Sequence, residues 1–373
     1  MRRLSFKRLI CMDALMEREK EELSLSLEMP KTYLPISMAD APYLKCFVPK
    51  TEEQQKEEEN TYKRYEETMS SLPREKGWFT EHIYRHQGFW YPSYYLPGVM
   101  VVQDQNHFQA HASDILLATS PKCGTTWFSA IVFAVVNRKL YTISSQKHPL
   151  CTFSPHDLVP RLEHTLYINN RIPDLDMLPS PRLLGTHIPY SSLPQSVLDL
   201  GCRVIYICRN PKDTFVSMWH FINKIRAAMS KSPLPLEEAF DMLCAGASDF
   251  GPFWDHALGY WRASLHRPQC VLFLKYEEMK ADPAVHVERL AKFMGCPFSS
   301  EEVKEGVVDD IIRLCSFESL SSSEVNKPGS MLKFYFRQGK VGDSVNYLTS
   351  GMIERLEQIT ENKLHGSGLT LSV

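Results

Sequence analysis

The length, composition and charge of the chain exclude several classes of protein. At 373 residues the chain can form one large α/β domain or two modest ones, and its hydrophobic fraction of 43% is that of an ordinary globular protein. The formal net charge of −2 argues against a general nucleic-acid binder, which needs a basic excess to neutralise phosphates. No apolar run reaches the roughly 20 residues that a helix needs to cross a bilayer, so we expect no membrane segment.

Cysteine usage and the N-terminus bear on where the protein resides. Ten cysteines are scattered along the chain without a CxxC pair, which suits reduced thiols better than a disulfide framework or a zinc site. Basic and apolar residues lie between Arg2 and Arg8, as in an organellar transit peptide. Glu17 and Glu19 follow, however, and transit peptides avoid acids. We therefore expect a cytoplasmic protein.

A change of composition near residue 70 marks the predicted domain boundary. Residues 52–67 form a charged, Gln- and Glu-rich tract typical of a solvated helix or a linker. From Leu72 onwards aromatic residues become dense, beginning with Trp78 and Phe79. We therefore expect residues 1–70 to be an N-terminal extension, largely disordered or helical, and residues 71–373 to form the folded domain.

Short apolar runs that alternate with helical patterns predict the fold class. Residues 115–118, 204–208 and 271–274 have the composition of buried parallel strands. A helical pattern follows each run, and the second helix has Asn210 as its N-cap and Pro211 at its first position. The alternation predicts an α/β fold with a central parallel sheet flanked by helices, in which ligands bind beyond the carboxyl ends of the strands.

The first strand-to-helix turn, at residues 120–127, has the composition of an anion-binding loop. Gly124 lets the backbone approach an anion, and the helix that follows offers unpaired N–H groups. Thr125 and Thr126 add hydroxyl donors, and Lys122 adds a mobile charge. An ordinary strand–helix turn could also contain glycine and threonine, so the loop by itself leaves both interpretations open.

This loop differs from that of the nucleoside triphosphatases. In the GxxxxGK[ST] pattern the lysine follows the last glycine, whereas here Lys122 precedes Gly124 and the loop is shorter. The second strand ends in Arg209, where a triphosphatase commonly has an acid that helps to hold magnesium. The sequence therefore favours a phosphate site without a metal.

Several motifs after Leu72 occur together in one known family. They are the loop at residues 121–127, the segments 209–213 and 326–349, and three stretches at residues 148–150, 155–160 and 251–254. With these motifs the chain resembles the cytosolic sulfotransferases, and the plant branch in particular. The resemblance implies a P-loop-kinase-like sulfotransferase fold. It also implies transfer of a sulfuryl group from 3′-phosphoadenylyl sulfate to a hydroxyl of a small hydrophobic acceptor, which leaves adenosine 3′,5′-bisphosphate and needs no metal.

The resemblance assigns two catalytic residues. Thr186, His187 and the Ile-Pro pair after them match the catalytic histidine motif of the family, so His187 is the expected general base. A neutral imidazole can accept a hydroxyl proton near pH 7, although a lone histidine without this context is more often structural. Lys122 is expected to hold the bridging oxygen of the donor, where negative charge grows as the bond to sulfur breaks.

The resemblance also assigns the donor-binding residues. Arg209 and Ser217 are expected to bind the 3′-phosphate, while Trp127, Tyr276 and Phe317 are expected to contact adenine. Read without the family, the three rings could equally be core residues, and Arg209 could form a surface ion pair. The complete set of expected donor-binding residues is Lys122, Cys123, Gly124, Thr125, Thr126, Trp127, Arg209, Ser217, Tyr276, Phe317, Arg337, Gln338 and Gly339.

The chain departs from the family pattern at a few positions. Cys123 stands where serine is usual, Gln338 where lysine is usual, and Ser344 where tryptophan is usual. The dimer motif of the family is incomplete, with Val345 in place of its lysine, so we expect a monomer or a weak homodimer. These changes bear on donor affinity and dimerisation. They leave the reaction itself intact.

Two other functions and the choice of acceptor stay open at this point. The chain could be a sensor of adenosine 3′,5′-bisphosphate that has lost catalysis, which Gln338 supports, or a metal-dependent kinase-like enzyme, which Arg209 opposes. A flavonoid, a steroid or a hydroxyjasmonate-like acceptor would suit an aromatic pocket. The residues expected to line that pocket, some of which could instead be core, are Phe89, Trp90, Tyr91, Tyr94, His164 and Tyr167.

Overall fold

The computed structural model describes residues 41–323 and 331–371. Its strands, in chain order, are β1 (Arg74–Lys76), β2 (His82–His86), β3 (Phe89–Pro92), β4 (Ile115–Thr119), β5 (Leu183–Thr186), β6 (Arg203–Cys208) and β7 (Val271–Lys275). Strands β4 to β7 form a parallel sheet in the order β5-β4-β6-β7, and β1 to β3 form a separate antiparallel sheet.

Helices surround the parallel sheet. Within the described ranges the α-helices are α1 (Glu52–Met69), α2 (Leu96–Gln103), α3 (Thr125–Asn137), α4 (Pro149–Thr152), α5 (Pro155–Leu158), α6 (Gln195–Asp199), α7 (Pro211–Ala228), α8 (Leu236–Cys244), α9 (Phe253–His266), α10 (Tyr276–Ala281), α11 (Pro283–Phe293), α12 (Ser300–Lys304), α13 (Val307–Leu314), α14 (Phe317–Ser322) and α15 (Ser350–Leu364). Shorter 3-10 or π-helical turns are Pro42–Cys46, Leu162–Leu166, Leu175–Met177, Tyr190–Ser192, Met331–Tyr335 and Asp343–Asn346.

The central strand β4 is buried along its whole length, as a parallel strand covered on both faces requires. Its successive side chains point to opposite faces. Leu116 and Ala118 therefore join one hydrophobic core, while Ile115 and Leu117 join the other. The three strands predicted from apolar runs and the α/β fold class are confirmed.

Two helices next to the sheet begin at the residues predicted from the sequence. Helix α3 begins directly after Gly124, whose φ of 98° lies in the left-handed region that favours glycine. Helix α7 begins at Pro211, and the side chain of Asn210 accepts a hydrogen bond from the N–H of Asp213. Both helices thus begin where a strand ends, at the edge of the sheet that carries the site.

Folded structure begins ahead of residue 70, where the composition placed the domain boundary. Helix α1 is highly charged, but Tyr62 and Met69 on one of its faces are buried in the larger core. The hydroxyl of Tyr62 donates to the carbonyl of Arg171 at 3.0 Å, which ties the helix to a distant loop.

Residues 1–40, which include the segment compared with a transit peptide, lie outside the described residues. In the described part of the chain, no helix is long and apolar enough to span a membrane.

Candidate active site

A cavity of about 680 Å³ lies at the carboxyl ends of the parallel strands, where α/β sheets form their ligand sites. The predicted site residues that line it are Lys122, Gly124, Thr125, Thr126, Trp127, His187, Arg209, Ser217, Tyr276, Phe317, Arg337, Gln338 and Gly339. Cys123 is placed differently. Its side chain is fully buried beneath the loop, with Sγ 3.7 Å from the hydroxyl of Thr214, and burial keeps its thiol protonated by raising its pKa to about 12.

The loop between β4 and α3 has the backbone geometry of an anion site. Lys122 has a φ of 68° and Gly124 a φ of 98°, so the chain turns sharply twice. A Cβ atom at Gly124 would lie 2.7 Å from the ring of Tyr276, so glycine is required there. The first intrahelical bond runs from the N–H of Phe128 to the carbonyl of Gly124. The N–H groups before Phe128 therefore have no partner within the helix.

Lys122 sits among other cations. Its Nζ lies 4.0 Å from the ring centre of Phe221 and 5.7 Å from that of Tyr335. Burial, together with the positive charges of Lys224 and Arg209, lowers the pKa of Lys122 to about 7. Such a concentration of positive charge stabilises a bound anion, and an anion would in turn restore the ammonium form of Lys122.

Arg209 links the end of β6 to the C-terminal segment. Its guanidinium donates to Asp213 Oδ2 at 3.0 Å and to the carbonyl of Lys340 at 2.9 Å. Asp213 also accepts hydrogen bonds from the N–H groups of Gly342 and Ser344, at 2.8 and 3.0 Å. Arg209 Nε is buried without a hydrogen-bond partner among residues 41–323 and 331–371, and the residue lines the cavity. This arginine therefore keeps a donor for a ligand.

The three aromatic residues predicted to contact adenine, Trp127, Tyr276 and Phe317, all line the cavity. Trp127 and Tyr276 contact edge to face, with ring centres 5.5 Å apart. A Cβ atom at Gly339 would lie 2.6 Å from the ring of Phe317. The hydroxyl of Tyr276 donates a hydrogen bond to the carbonyl of Gly339 at 3.3 Å. Gln338, next to Gly339, is exposed at the edge of the cavity. Residues 324–330, at the start of the predicted C-terminal donor segment, lie outside the described residues.

His187 directly follows strand β5, and hydrogen bonds to both its backbone and its ring hold it in place. It is 7% exposed, its N–H donates to Glu163 Oε1 at 2.8 Å, and its carbonyl accepts from His256 Nε2 at 2.9 Å. The ring Nδ1 lies 2.7 Å from the carbonyl oxygen of Thr119. Burial lowers the pKa of His187 well below its usual range, and the charge of Arg161 lowers it further. The imidazole is therefore neutral near pH 7.

An aromatic region lies beside His187. Phe79, Tyr94 and His164 line the cavity, and Phe250 contacts the His187 ring with centres 5.4 Å apart. Of the six residues predicted to line an acceptor pocket, Tyr94 and His164 line this cavity. Tyr91 and Tyr167 are core residues with exposed fractions of 0% and 1%, and Phe89 and Trp90 lie outside the lining.

Sequence reasoning missed several residues of the site. Thr119 and Glu163 hold His187, while Arg161 and Asp249 are buried polar residues that line the cavity. Arg161 and Glu163 come from one segment, whereas Thr119 and Asp249 come from two others, so no single spacing pattern connects the four residues. Among the described residues there is no cluster of histidine, cysteine or acidic side chains suited to a metal ion.

Comparisons with known proteins identify the family of the chain. The family model of the sulfotransferase domain matches residues 112–368. Two Arabidopsis thaliana proteins, cytosolic sulfotransferases 15 and 14, are 47% and 46% identical to the chain. Their alignments cover 87% and 84% of this chain and 90% and 92% of their own lengths.

Solved structures give the same result. A crystal structure of an Arabidopsis thaliana sulphotransferase is 41% identical, with a TM-score of 0.66 over 82% of this chain and 94% of that one. A mouse sulfotransferase complexed with PAP is 25% identical, with a TM-score of 0.60 over 76% of this chain and 95% of that one. The chain therefore belongs to the sulfotransferase family, as a 3′-phosphoadenylyl sulfate-dependent enzyme of the plant cytosolic type.

Proposed function

We propose that this enzyme transfers the sulfuryl group to a hydroxyl of a small, largely hydrophobic acceptor by in-line displacement, with His187 as the general base. One observation carries the proposal. The ring of His187 is hydrogen-bonded to the carbonyl of Thr119, the residue at which β4 enters the phosphate loop (residues 120–127), and His187 lines the same cavity as Lys122 and Gly124 of that loop. A proton acceptor and an anion-binding loop are thereby held next to each other.

The donor would occupy the end of the cavity formed by the phosphate loop. We assign the 5′-phosphate to Lys122 and the N–H groups at the start of α3, and the 3′-phosphate to Arg209, Ser217 and Arg337. The unpartnered Nε of Arg209 supports this assignment, as does the PAP bound to the mouse relative. Adenine would lie among the aromatic residues Trp127, Tyr276 and Phe317.

The chemical step requires a proton acceptor and a stabilised leaving group. The Nε2 lone pair of His187 takes the hydroxyl proton as the acceptor oxygen attacks sulfur. The bond from sulfur to the bridging oxygen breaks on the opposite side, and negative charge grows on that oxygen. Lys122, made cationic by the bound donor, stabilises this charge. Because Glu163 holds the His187 backbone at 2.8 Å, we assign it a positioning role.

The acceptor would lie among the aromatic side chains beside His187. Phe79 and Tyr94 contact each other with ring centres 5.6 Å apart, and Phe250 contacts His187 itself. Flat or alicyclic molecules such as a flavonoid, a steroid or a hydroxyjasmonate-like acid match such walls. Because its relatives are named cytosolic, we place the protein in the cytosol. We also propose that it is a monomer or a weak homodimer.

Sulfation of a plant extract tests the proposed reaction. The purified protein is incubated with the extract and 3′-phosphoadenylyl sulfate, and products are identified by their mass shift. We expect a sulfated product together with an equal amount of adenosine 3′,5′-bisphosphate. Tight binding of the bisphosphate without any sulfated product would instead indicate a nucleotide sensor.

A further inference from the structure

Arg161 is a buried cation for which the described residues provide no counter-ion. It is 4% exposed and lines the cavity, and its Nε is buried without a hydrogen-bond partner among the described residues. The neighbouring Glu163 is engaged elsewhere, because its oxygens accept from the Thr186 hydroxyl and the His187 N–H. Within residues 41–323 and 331–371 the guanidinium of Arg161 forms no ion pair. Burial of an unpaired charge is strongly unfavourable, so a protein rarely keeps one without a use for it.

The fold holds this guanidinium on the His187 side of the cavity. Arg161 pairs with Gly185 of strand β5 through an isolated bridge, and a Cβ atom at Gly185 would lie 2.8 Å from its Cγ. Glycine at this position therefore leaves room for the arginine side chain. Cζ lies 6.0 Å from the ring centre of Tyr335. The side chain is thus fixed between strand β5 and the C-terminal segment.

Two buried imidazoles near Arg161 also offer free polar atoms. His156 Nδ1 and His164 Nδ1 are buried without partners among the described residues, and both residues line the cavity. Burial lowers the pKa of both, and the charge of Arg161 lowers it further. Both rings are therefore neutral near pH 7. The region holds one permanent cation and two neutral groups that can form hydrogen bonds.

We propose that Arg161 binds a carboxylate of the acceptor, so that the preferred substrate is a hydroxylated carboxylic acid. The planar guanidinium can donate two parallel hydrogen bonds to a carboxylate. This inference rests on the proposed function and narrows its acceptor class. Asp249 is a buried carboxyl of the lining, and its Oδ1 has no partner among the described residues. Asp249 brings no positive charge that could bind a carboxylate, which leaves Arg161 as the position for the acid group.

The donor is the other source of an anion. Its phosphates have partners of their own in Lys122, Arg209, Arg337 and the start of α3, all of which line the phosphate-loop end of the cavity. Arg161, in contrast, comes from the segment that also carries His164, whose ring contacts Tyr95 with centres 4.8 Å apart. We therefore assign Arg161 to the acceptor, and the experiment separates the two sources.

The test compares hydroxy acids with their methyl esters, which lack the negative charge and carry one additional methyl group. A series of hydroxy acids of increasing length, beginning with para-hydroxyphenylpropionate, is titrated by calorimetry into enzyme saturated with adenosine 3′,5′-bisphosphate. We expect at least one acid to bind about tenfold more tightly than its ester. Arg161→Met should abolish this preference and Arg161→Lys should restore part of it, while Arg262→Met, at an exposed arginine of α9, should leave it unchanged.

Each outcome distinguishes the inference from the proposed function. If no acid binds more tightly than its ester, or if Arg161→Met keeps the preference, the carboxylate assignment is wrong. If Arg161→Met weakens binding of the donor and affects acid and ester equally, Arg161 serves the donor. Sulfation of an acid or an ester, measured separately, reports on the proposed function whichever of the two binds better.

Discussion

The Nδ1 atom of His187 lies 2.7 Å from the carbonyl oxygen of Thr119. A carbonyl oxygen can only accept a hydrogen bond, so Nδ1 carries the proton and Nε2 keeps its lone pair. Thr119 is the last residue of β4, and the phosphate loop begins at the next residue. One strand end therefore sets both the tautomer of His187 and the position of the loop.

The pKa of His187 predicts the acidic limb of the pH–rate profile. Burial lowers this pKa, and so do the positive charges of Arg161 and Lys122 and the nearby His256. A general base acts in its neutral form, so the rate is constant above its pKa and falls as the pH drops through it. We expect the midpoint of this acidic limb below about pH 6.5, the ordinary pKa of a histidine side chain. In Arg161→Met, which removes one cation, the limb should move to higher pH. A limb that stays in place would contradict this.

Lys122 predicts proton uptake when the donor product binds. Its pKa is lowered to about 7 in the empty site, so near pH 8 the free enzyme has a largely neutral lysine. A bound bisphosphate favours the ammonium form, so one proton should be taken up with each ligand. Calorimetry with adenosine 3′,5′-bisphosphate in buffers of different ionisation enthalpy measures this number. The uptake should disappear in Lys122→Met, and its absence in the parent enzyme would show that Lys122 is already charged.

Asp213 predicts how firmly the C-terminal segment is held. It accepts from Arg209 and from the N–H groups of Gly342 and Ser344, so Asp213→Asn removes the counter-ion of a buried arginine. We expect the free energy of unfolding to fall by about 3–5 kcal/mol, together with a loss of donor affinity. Denaturant unfolding measures the first quantity and calorimetry the second. Lys212→Met, which removes only an exposed ion pair with Glu357, is the matched control.

In the parent protein this contribution of Asp213 depends on pH. Burial opposes ionisation, but Arg209 and the backbone donors outweigh it and lower the pKa of Asp213. A carboxyl with a lowered pKa stabilises the fold above its unfolded pKa of about 3.9, and this stabilisation is lost as the pH falls below that value. The gap in stability between parent and Asp213→Asn should therefore narrow in acid.

Gln338 predicts a gain of donor affinity. It is exposed at the edge of the cavity beside Arg337, and the family resemblance leads us to expect lysine at its position. A charge-assisted hydrogen bond exceeds a neutral one by roughly 1 kcal/mol, which solvent at the cavity edge reduces. We therefore expect Gln338→Lys to tighten adenosine 3′,5′-bisphosphate binding by about two- to fivefold, with kcat almost unchanged. Gln338→Met is the uncharged control. Equal or weaker binding by Gln338→Lys would show that residue 338 does not contact the phosphate.

Local patterns predicted the parts of the molecule that depend on neighbouring residues. The apolar run of β4, the glycine turn at Gly124 and the Asn210 cap each occupy a few consecutive positions, and all three appear in the structure. His187 was identified by the resemblance to the family motif rather than by a local pattern, and in the structure it directly follows strand β5. Short segments limit these choices because a strand, a tight turn or a cap is determined mostly by its own residues.

Contacts between distant segments could not be predicted in this way. Thr119 and His187 are 68 residues apart in sequence, and Asp213 and Gly342 are 129 apart. Their pairing depends on the order of the strands and on the path of the C-terminal segment. Helix α1 illustrates the same difficulty, because its charged composition hides the few side chains, such as Tyr62, that anchor it to the core.

Replacement of His187 by alanine tests the central proposal most directly. The measurement compares kcat for sulfuryl transfer with the affinity for adenosine 3′,5′-bisphosphate, and His266→Ala, at an exposed histidine of α9, serves as the control. Loss of a general base should lower kcat by about 10²–10⁴-fold while nucleotide affinity stays nearly constant, because we propose that His187 contacts the acceptor and not the nucleotide. A His187→Ala enzyme with kcat within about threefold of the parent would show that His187 is structural and that another group removes the proton.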